Sequence, residues 1–186
     1  NFRAKGNELT YMLNTAEANT LFIGERYVDL IMSIKSQLLS VKNFVTLDSY
    51  HEGMPHYGDM IKSSPVDEIF TEIDDNDTTI LMYTAGTTGF PKGVVTTNYQ
   101  YSRIMETVSA RFQMTDKDRI LVVSPFSHNM GNMTGMLLGA CNGACILPME
   151  QFDPGEGLRL IDEEKVSKFT GSPTMYIMML DHPDFP

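Results

Sequence analysis

The sequence predicts an α/β fold of two adjoining α/β layers with mainly parallel sheets. Three observations predict it. Short apolar runs of strand character alternate with stretches of helical period from one end of the chain to the other. The repeated strand–helix–strand rhythm is the one that a parallel sheet, covered on both faces, requires. With 186 residues, 42% hydrophobic and 20% charged, the chain has the composition of a globular protein and the length for one ordinary domain.

The elements follow in order. Glu8 to Asn14 carries Leu9, Met12 and Leu13 on one helical face, and Thr20-Leu21-Phe22-Ile23 reads as a short buried strand ended by Gly24. Glu25 to Leu39 places Val28, Ile31, Met32, Ile34, Leu38 and Leu39 on a helical stripe, and Asn43 to Leu47 is the next strand. From Asp48 to Asp77 the pattern weakens between Gly53, Pro55, Gly58 and Pro65, with one or two short helices expected there, for instance around Val66 to Glu72. Thr78 to Tyr83 and Val94 to Thr97 are strands joined by a Gly- and Thr-rich loop. Asn98 is read as the N-cap of a helix to about Phe112. After the polar break Thr115-Asp116-Lys117-Asp118 come a strand (Ile120 to Val123), a helix (Asn132 to Cys141) and a strand (Ala144 to Leu147). A helix (Pro154 to Glu164), a strand (Lys168 to Thr170) and a helix (Pro173 to Leu180) complete the series. The break predicts a first lobe over 1–114, carrying the loop at 83–94, and part of a second over 115–186. No repeat or low-complexity tract is present.

Charge and composition exclude several classes. A net charge of −10 repels phosphate backbones, so nucleic acid is not an expected partner. No apolar run reaches the ~18 residues that cross a bilayer. The polar start does not read as a signal peptide, and the absence of an initiator Met predicts a piece of something longer. Cys141 and Cys145 lack partners for a metal site and are expected to be small buried thiols, which makes the cytoplasm the default compartment. The 14 Met residues are scattered and read as core filler. His51 and His56 are five apart and separated by Gly53 and Pro55, so they do not form a zinc-binding helix, and His182 lies in a polar tail.

The informative stretch is Tyr83-Thr84-Ala85-Gly86-Thr87-Thr88-Gly89-Phe90-Pro91-Lys92-Gly93-Val94. Its glycines let a backbone approach a ligand closely, and its threonines offer hydroxyl donors. Successive N–H groups in such a loop form an anion-binding nest, and Lys92 adds a mobile positive charge. The pattern is built to hold phosphates, and a plain surface turn has no use for it. It is not a Walker A loop, because Pro91 and Gly93 flank the Lys where that motif needs Gly and Ser or Thr.

These residues resemble the signature of the adenylate-forming superfamily, which includes acyl-CoA synthetases, peptide-synthetase adenylation domains and firefly luciferase. Ala85 departs from the usual form, replacing a Ser. Two further segments agree in order and spacing. Pro125-Phe126-Ser127-His128-Asn129-Met130-Gly131 is similar to the family's Pro-x-x-His segment, and Gly171-Ser172-Pro173-Thr174-Met175-Tyr176 to its Gly-x-Pro-Thr-Met segment. The opening Asn1-Phe2-Arg3 and the run from Gln151-Phe152-Asp153-Pro154 to Glu164-Lys165-Val166 also look like acyl-CoA synthetases, although many such ligases have Lys or Arg at Gln151. The downstream Tyr-Gly-x-Thr-Glu motif, ribose-binding Asp, hinge and catalytic Lys have no counterpart. The resemblance therefore implies an internal part of the N-terminal domain of an adenylate-forming enzyme.

It further implies chemistry. Thr84, Ala85, Gly86, Thr87, Thr88, Gly89 and Lys92 would bind the nucleotide, with Mg²⁺ accompanying ATP. Lys92 and His128 would be the catalytic pair, with His128 beside the acid. His128, Asn129, Met130, Gly131 and Gly171 would contact the acyl substrate, and no metal ligand is expected in the chain. The parent would activate a carboxylic acid, foremost a fatty acid, as acyl-adenylate and pass it to CoA. Asn129 keeps open an aryl- or amino-acid adenylation enzyme loading a carrier protein. A nucleotide-binding module without chemistry and a P-loop phosphohydrolase are the alternatives from other classes. The fragment alone is expected to make no acyl-adenylate, and its oligomeric state is not legible.

Overall fold

The computed structural model describes residues 4–84, 89 and 91–186. The described residues up to Asn98 pack as one compact unit and Tyr99–Pro186 as a second.

In the first unit, helix α1 (Gly6–Thr15) begins where Lys5 N–H bonds the Glu8 carboxylate at 2.9 Å. Strand β1 (Thr20–Ile23) leads into a 3₁₀ turn at Glu25–Tyr27, helix α2 (Val28–Ile34) and a second 3₁₀ turn at Lys35–Gln37. The single helix expected from Glu25 to Leu39 is thus three short pieces. Ile34, at φ −109° and ψ 0°, has left the helical region, and the tighter turn beyond it aims Leu38 back at the core. Strand β2 (Asn43–Thr46) runs parallel to β1, with Phe22 opposite Val45. Ile23, Val28, Ile31, Ile34, Leu38, Val41 and Phe44 form the core, closed by Leu9 and Leu13 of α1.

Of the one or two short helices expected between Asp48 and Asp77, helix α3 (Tyr57–Ser63) is present, while the example placed at Val66–Glu72 is absent. Both outcomes have the same cause. Tyr57 packs edge-on against Phe22, with ring centroids 6.0 Å apart, and the Tyr50 hydroxyl donates to Asp59, so α3 has a surface to fold on. Val66, Ile69 and Phe70 have the spacing of a helical stripe but are 101%, 85% and 86% exposed, and so short a helix does not hold itself in water. Pro65 also drives Ser64 into extended backbone and ends α3.

Strands β3 (Thr78–Thr84) and β4 (Lys92–Thr97) form an antiparallel hairpin separate from the β1–β2 sheet. The sheets are therefore mainly, but not wholly, parallel. Helix α4 (Asn98–Phe112) begins at Asn98 itself. The Asn98 amide donates to the Asp74 carbonyl at 3.0 Å and its oxygen accepts from Thr79.

The second unit is built on β5 (Arg119–Val122), which lies between β6 (Cys145–Pro148) and β7 (Lys168–Thr170), all parallel. Ile120, Leu121, Val122 and Val123 are buried without alternation, as a central strand covered on both faces must be. The expected helix after β5 is a π-helix over Met130–Leu137 continuing into α5 (Leu138–Asn142). Two glycines bring it onto the sheet. A Cβ at Gly135 would lie 2.6 Å from Val122 Cγ1, and one at Gly139 2.5 Å from Ile146 Cγ1. Helices α6 (Pro154–Glu163) and α7 (Pro173–Leu180) follow; Asp153 caps α6 through the Glu156 N–H at 2.8 Å.

Tyr101, Met105, Leu138 and Met179 complete this unit's buried apolar set. The expectation of buried thiols fails at Cys141, which is exposed near the end of α5; Cys145 is half-buried. Methionine serves the core at Met105 and Met179, while Met32, Met60 and Met178 are exposed. Among the described residues, no helix is long and apolar enough to cross a membrane.

Candidate functional site

Of the first group of predicted residues, Thr84 and Lys92 sit at the mouth of the β3–β4 hairpin. Thr84 pairs with Lys92 in the last rung and Tyr83 with Gly93 in the one before. Thr84 and Lys92 are both exposed, and the Thr84 hydroxyl reaches the Lys92 carbonyl at 3.4 Å, bracing the mouth. Gly89, at φ 141°, has a backbone conformation that only Gly adopts readily. Ala85, Gly86, Thr87 and Thr88 lie outside the described residues. The hairpin is anchored from below by Tyr83, whose hydroxyl donates to the Met12 carbonyl at 3.0 Å. Burial, and then the neighbouring Tyr11, push the Tyr83 phenol above its ordinary pKa, so it stays a donor.

The second group lies on one edge of the β6–β5–β7 sheet. Chain order runs β5, β6, β7, but β7 returns to the far side of β5, so the order reverses between β5 and β7. Such a switch point, at the carboxyl ends of parallel strands, is where open α/β sheets bind ligands. Val122 pairs with Thr170 there. The chain leaving β5 carries His128, Asn129, Met130 and Gly131, and the chain leaving β7 begins with Gly171.

His128 is held in a defined turn. Its N–H donates to the Pro125 carbonyl and its carbonyl accepts from Asn132 N–H, each at 2.9 Å. The ring nitrogen Nδ1 accepts the Met130 N–H at 3.2 Å, which leaves Nε2 to carry the proton of the neutral ring. An exposed imidazole held this way presents an N–H donor suited to an oxyanion. Gly131 is required by packing, because a Cβ there would lie 2.3 Å from the carbonyl oxygens of both Ser124 and Pro125. Asn129 is exposed and Met130 half-buried. Gly171 lies under an aromatic pair; a Cβ there would meet the Phe169 ring at 2.8 Å, and the Tyr176 hydroxyl bonds the Phe169 carbonyl at 3.1 Å.

Two residues that sequence reading passed over support this turn. The buried Tyr101 hydroxyl donates to Asn132 Oδ1 at 2.5 Å. Their only signal in the sequence was a polar Asn132 inside an apolar helix. Among the described residues no group of three or more His, Cys, Asp or Glu is arranged to hold a metal.

Comparison with known proteins gives the family and the fold. The family described as AMP-binding enzyme matches residues 1–186. The long-chain-fatty-acid–CoA ligase FadD13 of Mycobacterium tuberculosis is 27% identical over 188 residues, covering 100% of this chain and 36% of that protein. A long-chain-fatty-acid–CoA ligase of Bacillus subtilis is 35% identical over 112 residues, covering 59% of this chain and 20% of that one. Among solved structures, the inhibitor-bound N-terminal domain of FACL13 from M. tuberculosis superposes with a TM-score of 0.88 at 26% identity, over 100% of this chain and 45% of that one. The anthranilate CoA ligase AuaEII, bound to anthranoyl-AMP, shares the fold with a TM-score of 0.88 at 23% identity, over 100% of this chain and 36% of that one. The chain thus spans well under half the length of these relatives.

Proposed function

The chain belongs to the AMP-binding enzyme family, and on that premise we propose that the whole protein joins a fatty acid to CoA, driven by ATP. The observation that carries this reading is the end-to-end match to fatty-acid–CoA ligases, with the hairpin mouth and the β5–β7 switch point falling on the two motif segments.

A free carboxylate is a poor acyl donor, because an oxide would have to leave. Attack of its oxygen on the α-phosphorus breaks the bond to the β-phosphate, giving acyl-adenylate and pyrophosphate. A thiolate of CoA then attacks the acyl carbon and AMP departs. Negative charge gathers on the leaving pyrophosphate, so positioning and charge neutralisation dominate. In this reading Lys92 faces the β- and γ-phosphates, with the loop from Thr84 to Gly89 supplying N–H and hydroxyl donors. His128 donates from Nε2 to hold the acid, beside Asn129, Met130, Gly131 and Gly171. Mg²⁺ accompanies the nucleotide and offsets phosphate charge.

Steady-state kinetics on the whole protein test this reading. Lys92→Ala removes a charge-assisted phosphate contact of about 1.5–3 kcal/mol, so it raises the KM for ATP and slows adenylation roughly ten- to a hundredfold. His128→Ala impairs use of the acid and leaves ATP affinity intact. The reverse pattern would refute both placements. A lack of acid-dependent pyrophosphate exchange in the unmutated protein would favour a nucleotide-binding module without chemistry.

A further inference from the structure

We propose that Tyr101, which lies outside every motif segment, is a positioning residue for His128, acting through Asn132. The inference deepens the reading of His128 as the group that holds the acid, and rests on it.

The observations form one chain of contacts. His128 sits on the surface, in a short turn whose backbone is tied to the Pro125 carbonyl below it and the Asn132 N–H above it. The turn leads straight into a π-helix, a geometry rare in proteins. Asn132, whose N–H binds the His128 carbonyl, lies in the first turn of that helix. It is buried, at 9% exposure, and its side-chain oxygen bonds the Tyr101 hydroxyl across 31 residues of sequence. Tyr101 is itself 8% exposed and lies on the first turn of α4, a regular helix of 15 residues.

The bond thus ties the irregular helix to a regular one at the residue that fixes the His128 carbonyl. Gly131 completes the clamp by seating the backbone on the Ser124 and Pro125 carbonyls, so the turn cannot relax toward the sheet. Burial holds the Tyr101 phenol in its protonated, donating form. Removing that single hydroxyl would leave the Asn132 oxygen buried and unpaired, and the nearest relief is a shift of the turn that carries the imidazole. A misplaced N–H donor weakens its hold on the acid oxygen, where small displacements are costly.

The test uses the whole protein and four variants: Tyr101→Phe, Asn132→Leu, His128→Ala and the double variant Tyr101→Phe/His128→Ala. Tyr101→Phe is expected to lower kcat/KM for the acid about tenfold while leaving the KM for ATP unchanged. Asn132→Leu, which removes the acceptor from the other side, should give the same selective loss and serves if the Phe variant folds poorly. In the double variant Tyr101→Phe should add nothing to the His128→Ala loss, because its effect runs through the missing ring. A Tyr101 effect that adds in full to His128→Ala, or that falls equally on ATP and acid, would overturn the proposal and make the bond merely structural. So would full activity in Tyr101→Phe. If His128→Ala itself keeps normal use of the acid, the reading of His128 fails first, and the proposal falls with it.

Discussion

Val122 lies opposite Thr170 in the parallel register of β5 and β7. Because the two strands end side by side, the segments bearing His128 and Gly171 leave the same edge of the sheet. Gly171→Ala should therefore act on the acid. The added methyl meets the Phe169 ring at 2.8 Å and must displace it beside the switch point. A single misfitting methyl in a pocket costs about tenfold. Kinetics of the whole protein should show that loss in kcat/KM for the acid, with the KM for ATP unmoved; an ATP defect of equal size would place Gly171 elsewhere.

Two glycines should respond to alanine in opposite ways. At Gly131 the obstacle is backbone, the Ser124 and Pro125 carbonyls at 2.3 Å, and backbone cannot step aside cheaply. Gly131→Ala should destabilise by about 1–3 kcal/mol. Gly157, inside α6, has nothing closer than Met179 Cε at 3.6 Å. Gly157→Ala should stabilise by roughly 0.5–1 kcal/mol through helix propensity. Urea midpoints measured side by side check both signs.

Tyr83→Phe removes the bond to the Met12 carbonyl without opening a cavity. The expected cost is about 0.5–1.5 kcal/mol, read as a lower thermal midpoint. A variant as stable as its parent would show that the hairpin does not depend on this anchor.

Asp118 gives the protein a defined sensitivity to acid. Its buried carboxylate accepts the Ser167 hydroxyl at 2.6 Å and the Thr115 N–H at 2.7 Å, with Lys168 Nζ at 3.6 Å. The Ser167 bond, followed by the Thr115 N–H, holds its pKa below the ordinary aspartate value. A depressed carboxylate stabilises the fold above the unfolded pKa, near 4, and that contribution is lost as pH falls through the lower folded value. Asp118→Asn should thus be less stable than its parent at about pH 7, and the gap should narrow toward about pH 3. Urea titrations at both values decide it; a gap that widens toward acid would reverse the sign.

The sequence by itself determined the elements whose signal is local. The strands at Thr20–Ile23, Thr78–Thr84 and Lys168–Thr170 were legible because a short apolar run next to Gly, a loop or a polar break leaves the backbone little choice. Helices α1, α4, α6 and α7 were legible from apolar period and caps. The motif segments were legible because their Gly, Thr, Lys and His residues stand in an order and spacing that resemble a known signature. Tertiary structure decided what depends on a partner surface. Val66, Ile69 and Phe70 have a helical stripe and no described surface to cover it, whereas Tyr57 found Phe22 and folded α3. How closely Gly131, Gly135 and Gly139 seat against Ser124, Val122 and Ile146 is likewise a matter of contact across the fold. The Tyr101–Asn132 bond joins residues 31 positions apart, and no local pattern encodes such a pairing. Local chemistry fixes an element through its own backbone energies. Contacts across the fold depend on burial that exists only once the chain has collapsed.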